Sequence, residues 1–364
     1  MVRDAALAAE SQQFEQGRCV AFVVVRLNSS RFQQKQLQYI GDRRIIDWTL
    51  EAVKASHVID EVVIATVDEA ANYPLAAVAE QHQVALFWYQ GATDDVVGRL
   101  RQAAEQYQAE ICVMVSGDCP LLDAATIDQV VTALRESPEA EVVKLSAPPH
   151  SEASVEPAVA DVPLLEGMLV SRISAWRRGD ALSLSAAQRE HQFPIFYQQP
   201  AQFQFLSVPL STAVCGPKQR LSVDTPADLT FMRTVWQALI ATQRTFSLPA
   251  AIALLREQPQ LRAINAHVHQ RQLEESGYRV LLQSTGELAP KVLQQHLAVA
   301  HDLVERCGWV VTLLVDERSV LEQLKGSRVG ICWGGGVEEG VPPEPVMSDY
   351  HLVVRVALDA STQP

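Results

Sequence analysis

Short apolar runs alternate with helical segments through the first 135 residues of this chain. Four runs, at 19–25, 61–66, 84–88 and 111–115, are almost continuously apolar, as in strands covered on both faces. Between and after these runs, apolar residues recur at helical spacing, in segments 45–55, 74–81, 94–107 and 123–134. This alternation predicts an α/β fold built on a doubly wound, mainly parallel sheet.

The rest of the chain predicts further helices and a second unit. Residues 137–215 are less regular and contain scattered prolines, which is typical of the acceptor side of a site. Helical patterns return at 226–241, 247–255 and 260–273. Strands near 279–283, 309–315, 329–333 and 351–358, with helices at 291–307 and 319–325, predict a smaller α/β domain. The predicted organisation is a tail at 1–17, a first domain at 18–245, closing helices and a linker at 246–276, and a small Rossmann-like domain at 277–364.

Composition excludes several classes of protein. The formal net charge of −13 argues against a general nucleic-acid or anionic-membrane binder. No apolar stretch approaches the length that crosses a bilayer, and the first ten residues make a poor secretion signal. The six cysteines form no C-x-x-C pair, which argues against zinc and for a reducing compartment. We therefore expect a cytoplasmic protein that binds neither nucleic acid nor membrane.

Two aspartates follow predicted strands, 106 positions apart. Asp118 comes after the run at 111–115, and Asp224 comes after a short apolar run that ends at Val223. The carboxyl ends of parallel strands share one edge of a sheet, where ligands bind. Two carboxylates there would repel each other unless a cation lay between them, and Mg²⁺ prefers such ligands. The alternative is structural: Asp118 caps a turn, and Asp224 caps the helix that begins near Thr225.

A basic loop follows the first strand. It carries Arg26, Arg31 and Lys35 together with Ser29 and Ser30, which are side chains suited to hydrogen bonding phosphate oxygens. A solvated basic loop is the alternative interpretation. Three cations in ten residues of an acidic chain favour an anion site.

Seven segments in order resemble a known family. They are Arg26-x-x-Ser-Ser-Arg31 with Lys35, and residues 58–66, 94–99, 117–123, 189–191, 223–229 and 264–268. With these segments the chain resembles the spore-coat polysaccharide cytidylyltransferases, relatives of the enzymes that make CMP-activated sialic acid and Kdo. The resemblance covers roughly residues 18–271 and implies a GT-A-like nucleotidyltransferase fold.

The resemblance also implies a reaction and its residues. The reaction is Mg²⁺-dependent transfer of CMP from CTP to a sugar or sugar acid for surface-glycan synthesis, by an enzyme expected to be a homodimer. The implied roles are metal binding by Asp118 and Asp224; catalytic contacts to the triphosphate by Arg26 and Lys35; nucleotide binding by Ser29, Ser30, Arg31, Asp95 and Arg99; and acceptor binding by Arg189 and His191. An i,i+4 ion pair is an equally compatible interpretation of Asp95 and Arg99, and His191 has a structural alternative.

Departures from the family pattern support a second hypothesis. The family has glycine where Asn28 stands, Pro-Gly where Gln33 and Gln34 stand, and a glutamine and a small residue where Val24 and Val25 precede Arg26. Glycine lets backbone N–H groups approach phosphate closely. A catalytically inactive descendant, acting as a scaffold or regulatory subunit of a glycan pathway, is therefore the rival to the enzyme. A sugar-transferring enzyme ranks last, because no Asp-x-Asp surrounds Asp118.

The tail beyond Gly277 vaguely resembles the start of a nucleotide-sugar hydrolase or glycosyltransferase domain. Its Gly-x-Gly-His signature is missing, since Ser284-Thr-Gly-Glu stands there. We expect a truncated, catalytically silent domain.

Overall fold

A seven-stranded sheet forms the centre of the first unit. The structure, a computed structural model, describes residues 17–29, 32–148, 162–165, 167–268, 279–285, 298, 310–315, 330–333 and 352–357. The strands of the first unit are β1 (Cys19–Val24), β2 (Tyr39–Ile40), β3 (Arg43–Arg44), β4 (Glu61–Val67), β5 (Ala85–Tyr89), β6 (Ile111–Ser116), β7 (Val142–Ser146), β8 (Val162–Pro163), β9 (Met168–Arg172), β10 (Phe205–Pro209) and β11 (Cys215–Gly216). The helices are α1 (Ile45–Lys54), α2 (Pro74–His82), α3 (Val96–Gln106), α4 (Ala124–Arg135), α5 (Ile173–Leu182), α6 (Ala186–Glu190), α7 (Ile195–Gln198), α8 (Pro226–Ala241) and α9 (Leu248–Glu257).

The main sheet has the order β10-β7-β9-β6-β1-β4-β5. Its neighbouring strands run parallel except at β9, which is antiparallel to both β6 and β7. The predicted α/β fold with a mainly parallel sheet is therefore confirmed. The pattern missed β7, β9 and β10, because none of these five-residue strands carries more than three consecutive apolar residues.

Helices cover both faces of the central strands. On one face, Val20 and Phe22 of β1 belong to a core cluster with residues of α3 and α5. Ala21 and Val23 alternate with them and are fully buried as well, so the opposite face also needs a cover. Nearby, α1 packs against the neighbouring strand β4 and against α4. Burial on both faces explains why β1 reads as an uninterrupted apolar run.

An aromatic stack joins the irregular stretch to the sheet. The ring of Phe22 lies 5.6 Å from that of Trp176, and the rings of Trp176 and Phe193 lie 5.1 Å apart. Phe193 stacks on Phe196 at 5.1 Å, and Phe196 meets Phe203 edge-on at 4.6 Å. Since such pairs add roughly 0.5–1.5 kcal/mol each beyond burial, this stack anchors the segment from α5 to β10.

The strand order creates a crevice at the carboxyl end of β1. The chain leaves β1 for β4 on one side, and β6 lies on the other side. Ligands of open α/β sheets bind at such a reversal of strand order. The loop after β1 and the loop after β6 flank it, and these loops carry Lys35 and Asp118.

The chain divides into two compact units, with the boundary in sequence after Ala266. This point lies within the segment 246–276 that the sequence assigns to closing helices and a linker. The predicted helix at 260–273 is wrong over its described residues, which form a 3₁₀ helix at Pro259–Ile264 followed by a turn. The proline at its start and the short apolar run do not support a longer α-helix.

The second unit contains a parallel four-stranded sheet of order β14-β13-β12-β15. Its strands are β12 (Arg279–Thr285), β13 (Val310–Val315), β14 (Gly330–Trp333) and β15 (Leu352–Ala357). The helices predicted at 291–307 and 319–325 lie outside the described residues, apart from residue 298. None of the helices described in either unit is both long and apolar enough to cross a bilayer.

We expect Phe22→Ala to lower the free energy of unfolding by about 3–5 kcal/mol, because it opens a cavity under a fully buried ring. The control is Leu184→Ala, since Leu184 is 87% exposed and its loss changes stability by less than about 0.5 kcal/mol. Urea denaturation followed by circular dichroism measures both. Equal losses in the two variants would contradict the assignment of Phe22 to the core.

Candidate active site

Lys35 joins the two aspartates that the sequence singles out. Its Nζ lies 2.5 Å from Asp118 Oδ2 and 2.5 Å from Asp224 Oδ1. Lys35 is only 5% exposed. Burial by itself would lower the pKa of Lys35, but the attraction of the two carboxylates outweighs it and raises the pKa above its usual 10.5. The ammonium is therefore charged at neutral pH, and it is the cation between the carboxylates.

Asp118 reaches this point from the end of β6. Gly117 N donates to Val24 O at 3.0 Å, which extends the β1–β6 pairing by one residue. A Cβ at Gly117 would lie 2.6 Å from Val25 Cγ2, so only glycine permits this close approach. The next residue, Asp118, is then held at the crevice.

Asp224 reaches the same point from the start of α8. Val223 N donates to Asp118 O at 2.9 Å and so ties the two segments together. The N-cap of α8 is Thr225, which forms a capping box with Asp228. The interpretation of Asp224 as the helix cap is therefore wrong, and its side chain turns to Lys35 instead.

Arg220 and Asp228 hold Asp224 in place, and the sequence analysis gave neither a role. Arg220 Nη2 donates to Asp224 Oδ2, and its Nε lies 3.3 Å from Asp228 Oδ1. Asp228 is fully buried and accepts from the backbone N of Asp224 at 3.0 Å and of Thr225 at 2.9 Å. The available signal was spacing, because Arg220 precedes the two aspartates by four and eight residues.

The loop after β1 delivers Lys35. Leu27 N donates to the side chain of the buried Asn72 at 2.8 Å, and Gln34 N donates to Leu27 O at 2.7 Å. Gln34 is left-handed, with φ 51° and ψ 29°, and Lys35 begins a 3₁₀ turn directly after it. The position that holds glycine in the family thus keeps a glycine-like conformation here. Ser29 lies partly buried in this loop, and Ser30 and Arg31 lie outside the described residues.

Arg99 is a buried cation without an ion-pair partner among the described residues. It is 1% exposed, and its Nε and Nη1 atoms have no hydrogen-bond partner. Burial first, and then the nearby Arg26, lower the pKa of Arg99 to about 10, so it stays charged at neutral pH. An uncompensated buried charge costs several kcal/mol, which makes a purely structural role unfavourable.

Arg26 lies close enough to Arg99 to lower the pKa of Arg99, and Arg26 has acidic partners of its own. Its guanidinium contacts Asp94, and it lies 3.7 Å from Glu190 in α6. Arg26 and Asp94 are partly exposed. Since exposed pairs contribute less than about 1 kcal/mol, a phosphate could compete for Arg26.

Asp95 and Arg189 form a separate network. Asp95 caps α3 by accepting from Gly98 N at 2.9 Å, and it accepts from Arg189 Nε at 2.8 Å. Arg189 also contacts Asp180 Oδ1 at 2.8 Å. Burial would raise the pKa of Asp95, but bonds from Arg189 and Tyr89 lower it overall. Asp95 therefore pairs with Arg189. The described residues show no i,i+4 ion pair between Asp95 and Arg99.

Gln192, which follows the predicted acceptor residue His191, lies at the end of β6. Gln192 Nε2 lies 2.5 Å from Ser116 Oγ, two residues before Asp118. His191 is partly buried and directly precedes Gln192. Arg189 uses most of its donors within the protein, so it would have to release Asp95 or Asp180 to bind an acceptor. The sequence analysis did not identify Gln192.

The pair of aspartates fits the Mg²⁺ that the resemblance implies. Their two oxygens lie within 5 Å of each other, because each is 2.5 Å from the same nitrogen. Carboxylate oxygens bind Mg²⁺ at about 2.0–2.1 Å, so two oxygens on one ion lie within about 4.2 Å of each other. The described residues contain no group of three or more His, Cys, Asp or Glu side chains able to hold a metal. The donor set offered here is therefore two carboxylates.

Comparison with known proteins places the chain in a family. The model of the family described as "Cytidylyltransferase" matches residues 20–238. This chain therefore belongs to the cytidylyltransferase family.

Three individual proteins resemble this chain at modest sequence identity. An uncharacterized protein of Methanocaldococcus jannaschii is 24% identical over 71% of this chain and 98% of its own length. The 3-deoxy-manno-octulosonate cytidylyltransferase of Chlamydia pneumoniae is 32% identical over 34% of this chain, which spans 48% of that enzyme. A cytidylyltransferase structure from Leptospira borgpetersenii matches with a TM-score of 0.57 and 23% identity, over 68% of this chain and 97% of that one. The structural likeness supports the fold.

We expect Gln34→Gly to stabilise the protein by up to about 1 kcal/mol. A left-handed residue with a Cβ costs roughly 1–2 kcal/mol, against a smaller entropic cost of glycine. The control is Gln33→Gly, which should destabilise by about 0.5–1 kcal/mol because Gln33 has no positive φ to relieve. Midpoints of urea denaturation measure both variants. A loss of stability in Gln34→Gly would show that the turn carries no strain.

Proposed function

We propose that this protein transfers CMP from CTP to a sugar or sugar acid in the synthesis of surface glycans. The observation that carries the proposal is the convergence of Asp118 and Asp224 on one buried point at the carboxyl ends of the central strands. In a chain of the cytidylyltransferase family, this arrangement suits the binding of a metal–triphosphate complex. The enzymes for 3-deoxy-manno-octulosonate match about half their length to this chain, which favours a sugar-acid acceptor.

The proposed reaction needs positioning and charge neutralisation. An acceptor oxygen attacks the α-phosphorus of CTP, and pyrophosphate leaves as the P–O bond breaks. When bound by Asp118 and Asp224, Mg²⁺ would supply positive charge to the phosphate oxygens. Lys35 would hold triphosphate oxygens from the loop after β1, with Arg26 and Ser29 beside it. Arg220 would keep Asp224 oriented, since it contacts the carboxylate oxygen that faces away from Lys35.

Arg99 supports a nucleotide site at the start of α3. A buried guanidinium with free Nε and Nη1 donors needs an acceptor, and a nucleotide offers carbonyl and ring acceptors in its base. Asp95 would position α3 rather than bind the nucleotide, because its oxygens are used by Gly98, Tyr89 and Arg189. His191 and Gln192 are the proposed acceptor contacts, and a homodimer remains an expectation from the resemblance.

A second candidate is an inactive relative that serves as a scaffold or regulatory subunit. The observation that favours it is the internal pairing of the predicted phosphate ligands, since Arg26 and Lys35 both contact carboxylates. The two candidates differ in nucleotide binding. Isothermal titration with CTP and Mg²⁺, and pyrophosphate release from labelled CTP with a panel of sugar acids, distinguish them. Undetectable CTP binding would exclude the enzyme.

We expect Asp118→Asn and Asp224→Asn each to lower kcat by roughly 10²–10³-fold, because each removes a charge that positions the metal–triphosphate complex. Circular dichroism should show an intact fold. The control is Asp42→Asn, since Asp42 is exposed and lies far along the chain from both Asp118 and Asp224. Its pyrophosphate release should equal that of the wild type. Turnover that survives Asp118→Asn would overturn the metal assignment.

We expect Arg99→Met to weaken CTP binding at least tenfold, about 1.4 kcal/mol, while stability stays equal or rises. The reason is that an apolar side chain replaces a buried charge that no carboxylate of the described residues contacts. Titration calorimetry and urea denaturation measure the two effects. The control is Arg101→Met on the same helix, where Arg101 pairs with Asp180 at 2.6 Å and should leave CTP binding unchanged. A large loss of stability in Arg99→Met would indicate a structural role instead.

A further inference from the structure

The position between Asp118 and Asp224 can hold one cation at a time. Lys35 Nζ lies 2.5 Å from an oxygen of each aspartate, and these are the oxygens that a metal would bind. The site is largely closed to solvent, because the side chains of Asp118 and Asp224 are 17% and 14% exposed. A second cation that shared both oxygens would lie close to the ammonium, where two positive charges repel strongly.

Charge leads to the same conclusion. The carboxylates of Asp118, Asp224 and Asp228 lie against the two cations Lys35 and Arg220, so these five side chains carry one net negative charge. A divalent ion in place of Lys35 would leave the remaining four side chains and the ion neutral. A divalent ion added to Lys35 would leave a net positive charge in a buried site, where repulsion is poorly screened.

We propose that the Lys35 ammonium and a divalent cation are alternative occupants of the position between Asp118 and Asp224, so that the nucleotide-free protein excludes the metal. This inference rests on the proposed function, in which Lys35 moves to the phosphates of the nucleotide. The triphosphate would offer the ammonium a new anionic partner, and Asp118 and Asp224 would then hold the metal that accompanies the nucleotide. Arg220 stays on Asp224 throughout, because it contacts the other carboxylate oxygen.

The test measures Mn²⁺ binding to the full chain without nucleotide, by the loss of the free-ion signal in electron paramagnetic resonance. We expect Lys35→Gln to bind one Mn²⁺ at least tenfold tighter than the wild type. Adding Asp118→Asn to that variant should abolish the gain. Lys35→Arg keeps the positive charge, and Lys144→Met removes an exposed lysine of β7; both should behave as the wild type.

Two results would overturn the proposal. One is a folded Lys35→Gln protein that binds Mn²⁺ no tighter than the wild type. The other is a nucleotide-free wild type that already binds one stoichiometric Mn²⁺ per chain, with that binding lost in Asp118→Asn. If Lys35→Gln is folded but too unstable for titration, a rise of its Tm with Mn²⁺ that Asp118→Asn removes supports the proposal. If Mn²⁺ gives no such rise, the wild-type titration decides.

The outcome is separate from that of the proposed function. Metal titration of the free protein requires no turnover. If the protein releases no pyrophosphate from CTP but shows this pattern of Mn²⁺ binding, the proposed reaction is wrong and the competition between Lys35 and the metal stands. If the protein turns over CTP but Lys35→Gln and the wild type bind Mn²⁺ equally, the proposed reaction stands and the competition is wrong.

Discussion

The contact of one buried ammonium with two carboxylates organises the site of this protein. Lys35, Asp118 and Asp224 come from three distant parts of the chain, and each would be costly to bury alone. Together they satisfy one another, with Arg220 and Asp228 as support. The arrangement fixes the loop after β1, the end of β6 and the start of α8 relative to each other.

A second organising constraint is the placement of three arginines near the start of α3. Arg26, Arg99 and Arg189 lie close to the start of α3, but they differ in what compensates their charge. Arg189 is held by two aspartates, Arg26 has partly exposed partners, and Arg99 has a buried head with unused donors. This gradation separates a structural arginine from those able to bind a ligand.

Sequence pattern was informative where an apolar run was continuous. The strands β1, β4, β5 and β6 are apolar on both faces, so their runs identified them and the parallel sheet. The pattern missed β7, β9 and β10, whose apolar runs are three residues or shorter, and it extended a helix beyond Ile264. Short strands are defined by the neighbours they pair with, and those neighbours are remote in sequence.

The sequence alone determined that Asp118 and a basic loop follow strand ends, because parallel strands bring their carboxyl ends to one edge. The strand predicted before Asp224 is wrong, since residues 217–225 contain no strand. Only the tertiary structure decided which cation meets which acid. It placed Lys35 between Asp118 and Asp224, paired Asp95 with Arg189, and left Arg99 without a carboxylate contact within the described part of the chain. Ion pairing depends on separations of a few ångströms, and spacing along the chain does not encode such distances between separate elements.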